Sequence, residues 1–245
     1  MGWSSTFDQC APFWYRKSAN AVHLFVFAVC CDLGLLVVWN RTRFRYNSWC
    51  RGHYVCRSDY LEKGAIMKRV ASVGEAMIEL SMSDENARVG VAGDTLNMAI
   101  YLQRTAPQLT VDYITCLGSD TFSTRIFDFV GHNGLGNSLI KQIPDKTPGL
   151  YAINTNMDGE RSFIYWRSNS AARDLFMDYD FSVLESFDVL YLSGISMAIL
   201  PHKVRISFLE WLKRSPIELI FDSNYRPHLW DSIGHAQQIT SALWV

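Results

Sequence analysis

Short apolar runs that stop at a glycine or an aspartate recur along this chain, each followed by a stretch with helical periodicity, and few folds accommodate that rhythm. Val70–Val73 ends at Gly74-Glu75 and reads as a buried first strand. Asp94 then precedes Leu96, Met98, Ala99, Ile100 and Leu102, a helical pattern closed by Thr105-Ala106-Pro107, with Asp94 placed to cap the helix. Val111–Leu117 alternates and stops at Gly118, with a helix expected from about Ser119. The same pattern returns in Val189–Ser193 before Gly194, in a helix near His202–Lys213, and in Ile217–Phe221 before Asp222. Strands spaced by helices predict an α/β fold with a mostly parallel, doubly wound sheet, whose ligands gather where the strands end.

Between the second and third repeats the pattern changes. Leu150–Thr155 and Arg161–Arg167 flank Asn156-Met157-Asp158-Gly159-Glu160, and Asp158-Gly159 is a strong hairpin turn signal. This predicts a small β flap, or lid, within about residues 140–168. Period-two alternation puts Tyr165 and Arg167 on one face of their strand, and Tyr151 with Ile153 on one face of the other. Aromatic rows on a flap usually pack; an arginine in the same row favours a polar site beneath it. Arg226, in Asp222-Ser223-Asn224-Tyr225-Arg226-Pro227, supplies a second guanidinium, and Ala92-Gly93-Asp94-Thr95-Leu96-Asn97 supplies a tight polar turn. Because a guanidinium can bond both oxygens of a carboxylate at once, the set suits a small polyhydroxylated acid.

Charge divides the chain. Residues 1–66 hold eight Lys/Arg against four Asp/Glu, and residues 67–245 hold 15 against 20. Five of the six cysteines and four of the eight tryptophans fall in the first piece, whereas the remainder, with only Cys116, has the composition of a reduced cytoplasmic domain. Met67 reads as a natural start, with residues 1–66 an unrelated extension outside the fold. The apolar run Ala21–Trp39, followed by Arg41, Arg43 and Arg45, is long enough for a membrane anchor. Against insertion stand His23 and Asp32 within it, the latter costing roughly 3 kcal/mol near a helix centre. Cys50, His53 and Cys56 lack a clear fourth ligand for zinc. The acidic main piece excludes a nucleic-acid footprint.

Six blocks then stand in register: Gly74–Leu80, Ala92–Asn97, Gly149-Leu150-Tyr151, Gly159–Arg167, Leu190–Ser196 and Phe221–Trp230. Together they resemble the ribokinase-like (PfkB) sugar kinases, and among them the kinases of 2-keto-3-deoxygluconate, over about residues 67–243. The resemblance implies transfer of the ATP γ-phosphate to the terminal hydroxyl of that sugar acid, helped by Mg²⁺. It places Gly93 and Asp94 at the sugar hydroxyls, with Asn97 as a further contact. It sets Tyr151 and Tyr165 in the pocket lining, Ile195 in one wall, and Arg167 with Arg226 at the acid and keto end. A homo-oligomer joined through the lid, by Tyr151 or Phe163, would also follow from it.

Two departures qualify the resemblance. Paired glycines precede the aspartate in the family where this chain has Ala92-Gly93. The family's Gly-Ala-Gly-Asp segment, whose aspartate is the catalytic base, has no counterpart before Val245, and Gly74, Gly93, Gly118 and Gly194 do not form a phosphate-cradling loop. The expectation is therefore a ribokinase-like domain incomplete at its C-terminus, with an open sheet edge, a nucleotide site largely outside the chain and no turnover alone. The alternatives are a catalytically silent sugar-acid binding fragment and a fructokinase-like sibling. Two guanidiniums disfavour the latter, being poorly matched to a neutral sugar.

Overall fold

The computed structural model describes residues 13–16, 25–30, 35–40, 68–83, 86–156 and 160–243. The Cys50, His53 and Cys56 set, Met67 and the Asp158-Gly159 turn lie outside them. In chain order the strands before the first helix are β1 (Phe13–Arg16), β2 (Phe25–Cys30), β3 (Leu35–Asn40), β4 (Arg69–Val73), β5 (Met77–Ser83) and β6 (Asn86–Ala92). Then come α1 (Asp94–Thr105), β7 (Thr110–Ile114), β8 (Cys116–Leu117), α2 (Thr121–His132), β9 (Lys141–Gln142), β10 (Gly149–Thr155) and β11 (Arg161–Trp166). The chain continues through β12 (Val189–Ser193), α3 (Gly194–Ile199), α4 (His202–Arg214), β13 (Glu218–Asp222) and α5 (Ile233–Leu243).

The main sheet has the order β1-β13-β12-β4-β7, parallel except for β1. Alternation along its strands feeds two apolar cores. Ala71, Val73, Leu190, Leu192, Leu219 and Phe221 face one core with residues of α3, α4 and α5. Val70, Val111, Tyr113 and Val189 face the other, with Leu96, Ala99 and Ile126 from α1 and α2. This is why the strands read as nearly continuous apolar runs: both faces are covered by helices.

The lid differs from the expected hairpin. It is a four-stranded sheet, β11-β10-β5-β6, in which β5 and β6 precede α1 and β5 pairs in parallel with β10. The β13 edge, expected to be open, is paired antiparallel with β1, Phe13 opposite Asp222, which occupies backbone groups that an edge leaves unmet. The run 21–39 holds the antiparallel strands β2 and most of β3, not one helix, as its β-branched and aromatic content favours. Among the described residues, no helix is long and apolar enough to cross a membrane.

Candidate functional site

Four strand ends and the inner end of the lid meet around a set of charged side chains. Just past β4, Glu75 is 1% exposed. Its carboxylate pairs with the guanidinium of Arg167, the residue that follows β11, and accepts a hydrogen bond from the Ser170 hydroxyl. Burial pushes the Glu75 carboxyl up, against the pull of the Arg167 charge and the Ser170 hydroxyl; the charge of Asp94 adds to the rise. Arg167 is 8% exposed, and its Nε is buried without a hydrogen-bond partner among the described residues. Gly149, at the lid's entry, leaves the space these groups use: a Cβ there would lie 2.7 Å from Glu75 Oε1.

Asp94 does not cap α1, contrary to the sequence expectation. It is the first helical residue, Gly93 stands at the N-cap without any side-chain cap, and the Asp94 carboxylate accepts from Asn224 Nδ2 at 3.0 Å. The reason is steric: Gly93 runs so close beneath the Glu75 carbonyl that any Cβ would overlap it, leaving Asp94 inside the positive first turn of the helix. Ala92, the departure from the family's paired glycines, ends β6 opposite Met77 and fits there as an ordinary strand residue. Asn97 lies one turn along α1 with an exposed side chain.

At the end of β13, Asp222 accepts from the backbone N–H of Asn224 at 3.1 Å, closing a turn in which Asn224 takes φ 22°. Burial, then the nearby charge of Asp94, pushes the Asp222 carboxyl up to about 7, with the Asn224 N–H and the charge of Arg226 opposing. Arg226 itself is exposed, at the head of the 3-10 turn Pro227–Leu229. Ile195 sits in α3, packed with Ala172 and Ile199. A Ser193–Ser196 capping box starts that helix, and the Ser196 hydroxyl donates to Val73 O at 2.7 Å, fixing the start of α3 to the end of β4.

From the lid, Tyr151 and Tyr165 are cross-strand partners with ring centroids 5.6 Å apart, and Tyr165 reaches His228 at 6.3 Å. The Tyr151 hydroxyl donates to Glu79 on β5. The lid thus touches the segment that carries Arg226, and Asp94 touches it from α1. Contacts join Arg167 to Glu75, Glu75 to the backbone of Gly93, Asp94 to Asn224, Tyr151 to Tyr165 and Tyr165 to His228, and Ile195 shares a cluster with Leu229, whereas Asn97 has an exposed side chain. The sequence reading left Glu75 without a role, placed Asp222 at a strand end without assigning it one, and missed Ser170 and Glu79. Glu75 and Asp222 do carry a signal, each standing at the C-terminal end of a buried parallel strand.

A doubly wound α/β core whose strand ends face a small β lid, with polar groups gathered between, defines a ribokinase-like protein. The family profile described as pfkB family carbohydrate kinase matches residues 67–244, and the chain belongs to that family. It is 41% identical over 181 residues to a 2-dehydro-3-deoxygluconokinase of Haemophilus influenzae, covering 70% of this chain and 58% of that protein. The chain therefore spans less than two thirds of the length of that curated relative. A solved PfkB protein from Polaromonas sp. JS666 superimposes with a TM-score of 0.64 at 24% identity, covering 72% of this chain and 62% of the other. A fructokinase from Xylella fastidiosa with bound ATP gives 0.60 at 21% identity, covering 72% and 56%. At such identities the two structures establish the fold.

Proposed function

We propose that the chain supplies the acceptor-sugar side of a kinase that moves the ATP γ-phosphate, with Mg²⁺, to the terminal hydroxyl of 2-keto-3-deoxygluconate, also called 2-dehydro-3-deoxygluconate. The observation that carries this reading is the buried guanidinium of Arg167 at the inner end of the lid, with an unpartnered Nε, in the same region as Asp94 and Arg226. The 41% identity to a kinase named for this substrate supports it. Arg167 and Arg226 hold the carboxylate and keto end. Asp94 accepts from sugar hydroxyls, and the close-running Gly93 backbone admits the sugar to the helix end. Tyr151 and Tyr165 cover one face of the ligand, and Ile195 gives the opposing apolar wall. Asn97 would need to turn inward to add a contact.

Phosphoryl transfer relies on positioning and on stabilising charge, and these residues contribute positioning of the acceptor. ATP and Mg²⁺ enter the reading through the family. Among the described residues, no group of three or more His, Cys, Asp or Glu side chains is placed to hold a metal ion, and the residues named above serve the sugar side of the reaction. The exposed Phe163, Ile164, Tyr165 and Trp166 of the lid offer apolar surface for a homo-oligomer. The buried free thiol of Cys116 suits a reducing, cytoplasmic setting.

Titration calorimetry with 2-keto-3-deoxygluconate tests the proposal. Saturable binding is expected, and absence of heat under conditions where the protein is folded would overturn it. Adding ATP and Mg²⁺ then separates a competent kinase, which forms the phosphate ester, from a sugar-acid binding unit, which does not.

A further inference from the structure

We infer that Glu75 sets the preference of this pocket between acidic and neutral sugars, by serving as the resident counter-anion of Arg167; this rests on the sugar-acid reading above. Three segments converge to hold that carboxylate. It follows the end of β4, it lies against the backbone of Gly149 where β10 begins, and it is bonded by Arg167 and Ser170 just past β11. A carboxylate that is 1% exposed is uncommon unless paired, and here its cationic partner is a residue proposed to meet the ligand.

The consequence for recognition is electrostatic. A lone buried guanidinium would attract any carboxylate strongly and would cost a great deal to hold in the empty protein. With Glu75 alongside, the empty pocket is nearly neutral at this point, and an incoming acid must share a charge already compensated. Asp94 does not play the same part, because among the described residues the ion pair of Arg167 is with Glu75, and the Asp94 carboxylate bonds Asn224 instead. Glu75 therefore trades affinity for acids against stability of the unliganded lid junction. It touches no reacting atom and acts through Arg167, as a specificity-determining residue.

Glu75→Gln keeps the shape and an oxygen acceptor but removes the charge. Calorimetry should compare wild type, Glu75→Gln and the milder Ser170→Ala, each titrated with 2-keto-3-deoxygluconate and with its uncharged methyl ester. In Glu75→Gln the acid is expected to bind on the order of tenfold tighter, the scale of one removed like charge at short range, while the ester is unchanged. Ser170→Ala, which withdraws one hydrogen bond from the carboxylate, should move the acid-to-ester ratio in the same direction by a smaller factor. A purely structural Glu75 would lower melting temperature and both affinities together, leaving the ratio fixed. A ratio unchanged or lowered in the variants overturns the inference. Wild type that takes up neither ligand instead removes the sugar-acid reading, and the inference with it.

Discussion

Tyr151 and Glu79 stand opposite one another in the parallel pairing of β10 with β5, and the phenol donates a hydrogen bond to the carboxylate. Burial and the Glu79 carboxylate push the Tyr151 phenol far above its usual range, so it stays protonated with that proton committed sideways. Toward a sugar, Tyr151 is left as a hydrogen-bond acceptor. Tyr151→Phe removes a bond to a charged group and should cost about 1.5–3 kcal/mol of stability. Tyr165→Phe, at a side chain 44% exposed, should stay within about 0.5 kcal/mol. Urea denaturation of the two variants checks this; equal losses would show that the Tyr151–Glu79 bond does not anchor the lid.

The two arginines should behave unlike each other. Arg226 is exposed, so Arg226→Ala should leave stability within about 0.5 kcal/mol. It should still weaken acid binding by roughly tenfold or more, as expected for a lost charge-assisted bond, and weaken the neutral ester much less. Arg167→Ala leaves Glu75 buried and unpaired, which should cost roughly 3–5 kcal/mol of stability before any ligand is added. Chemical denaturation alongside calorimetry separates the effects. Equal loss of acid and ester binding in Arg226→Ala would count against carboxylate recognition.

Much of the α/β core was legible in the sequence, because each buried strand divides its side chains between two helix-covered faces. The runs at Val70, Val189 and Ile217 became β4, β12 and β13 with shifts of one residue at most. Half of the lid was legible, since β10 and β11 adjoin a turn signal. The other half was not: Ile78, Leu80 and Met82 alternate with Glu79 and Ser81, but no Gly or Pro marks the step to β6, and the parallel β5–β10 pairing is non-local. The two arginines, the Gly93-Asp94 turn and the paired tyrosines came from residue types and spacing, and Ile195 and Asn97 from the family resemblance, whereas the charge partners came from neither. Nothing near Arg167 in sequence announces that Glu75 will neutralise it, and nothing near Asp94 shows that Gly93 will take the cap while Asn224 takes the carboxylate.

The start of α1 gives a steric prediction. A methyl at Gly93 would overlap the Glu75 carbonyl, and the obstacle is backbone, which cannot step aside as a flexible side chain would. Gly93→Ala should therefore destabilise by about 1–3 kcal/mol and move Asp94 away from Asn224. Gly90→Ala is the control, because its added Cβ would meet nothing nearer than 3.6 Å. Thermal melts of the two variants are the measurement, with a clear loss expected only at Gly93.

Asp222 gives the pH dependence. Its folded-state carboxyl is pushed from an ordinary value of 3.8 to about 7 by burial and by Asp94, so the folded protein holds this proton more tightly than the unfolded chain does. Below the unfolded value both states are protonated and the group is neutral toward stability. As pH rises from about 4 to about 7 the unfolded state gives up the proton first, so this group's contribution to stability falls across that window and levels off above it. Ligand binding follows the same sign, because an ionised Asp222 adds a negative charge in the region proposed for an anionic sugar. Acid affinity should therefore be higher at pH 6 than at pH 8, with a midpoint near about 7, and the methyl ester should show little change. Asp222→Asn keeps an oxygen for the Asn224 N–H and should flatten both profiles; an unaltered pH slope in that variant would assign the titration to another group.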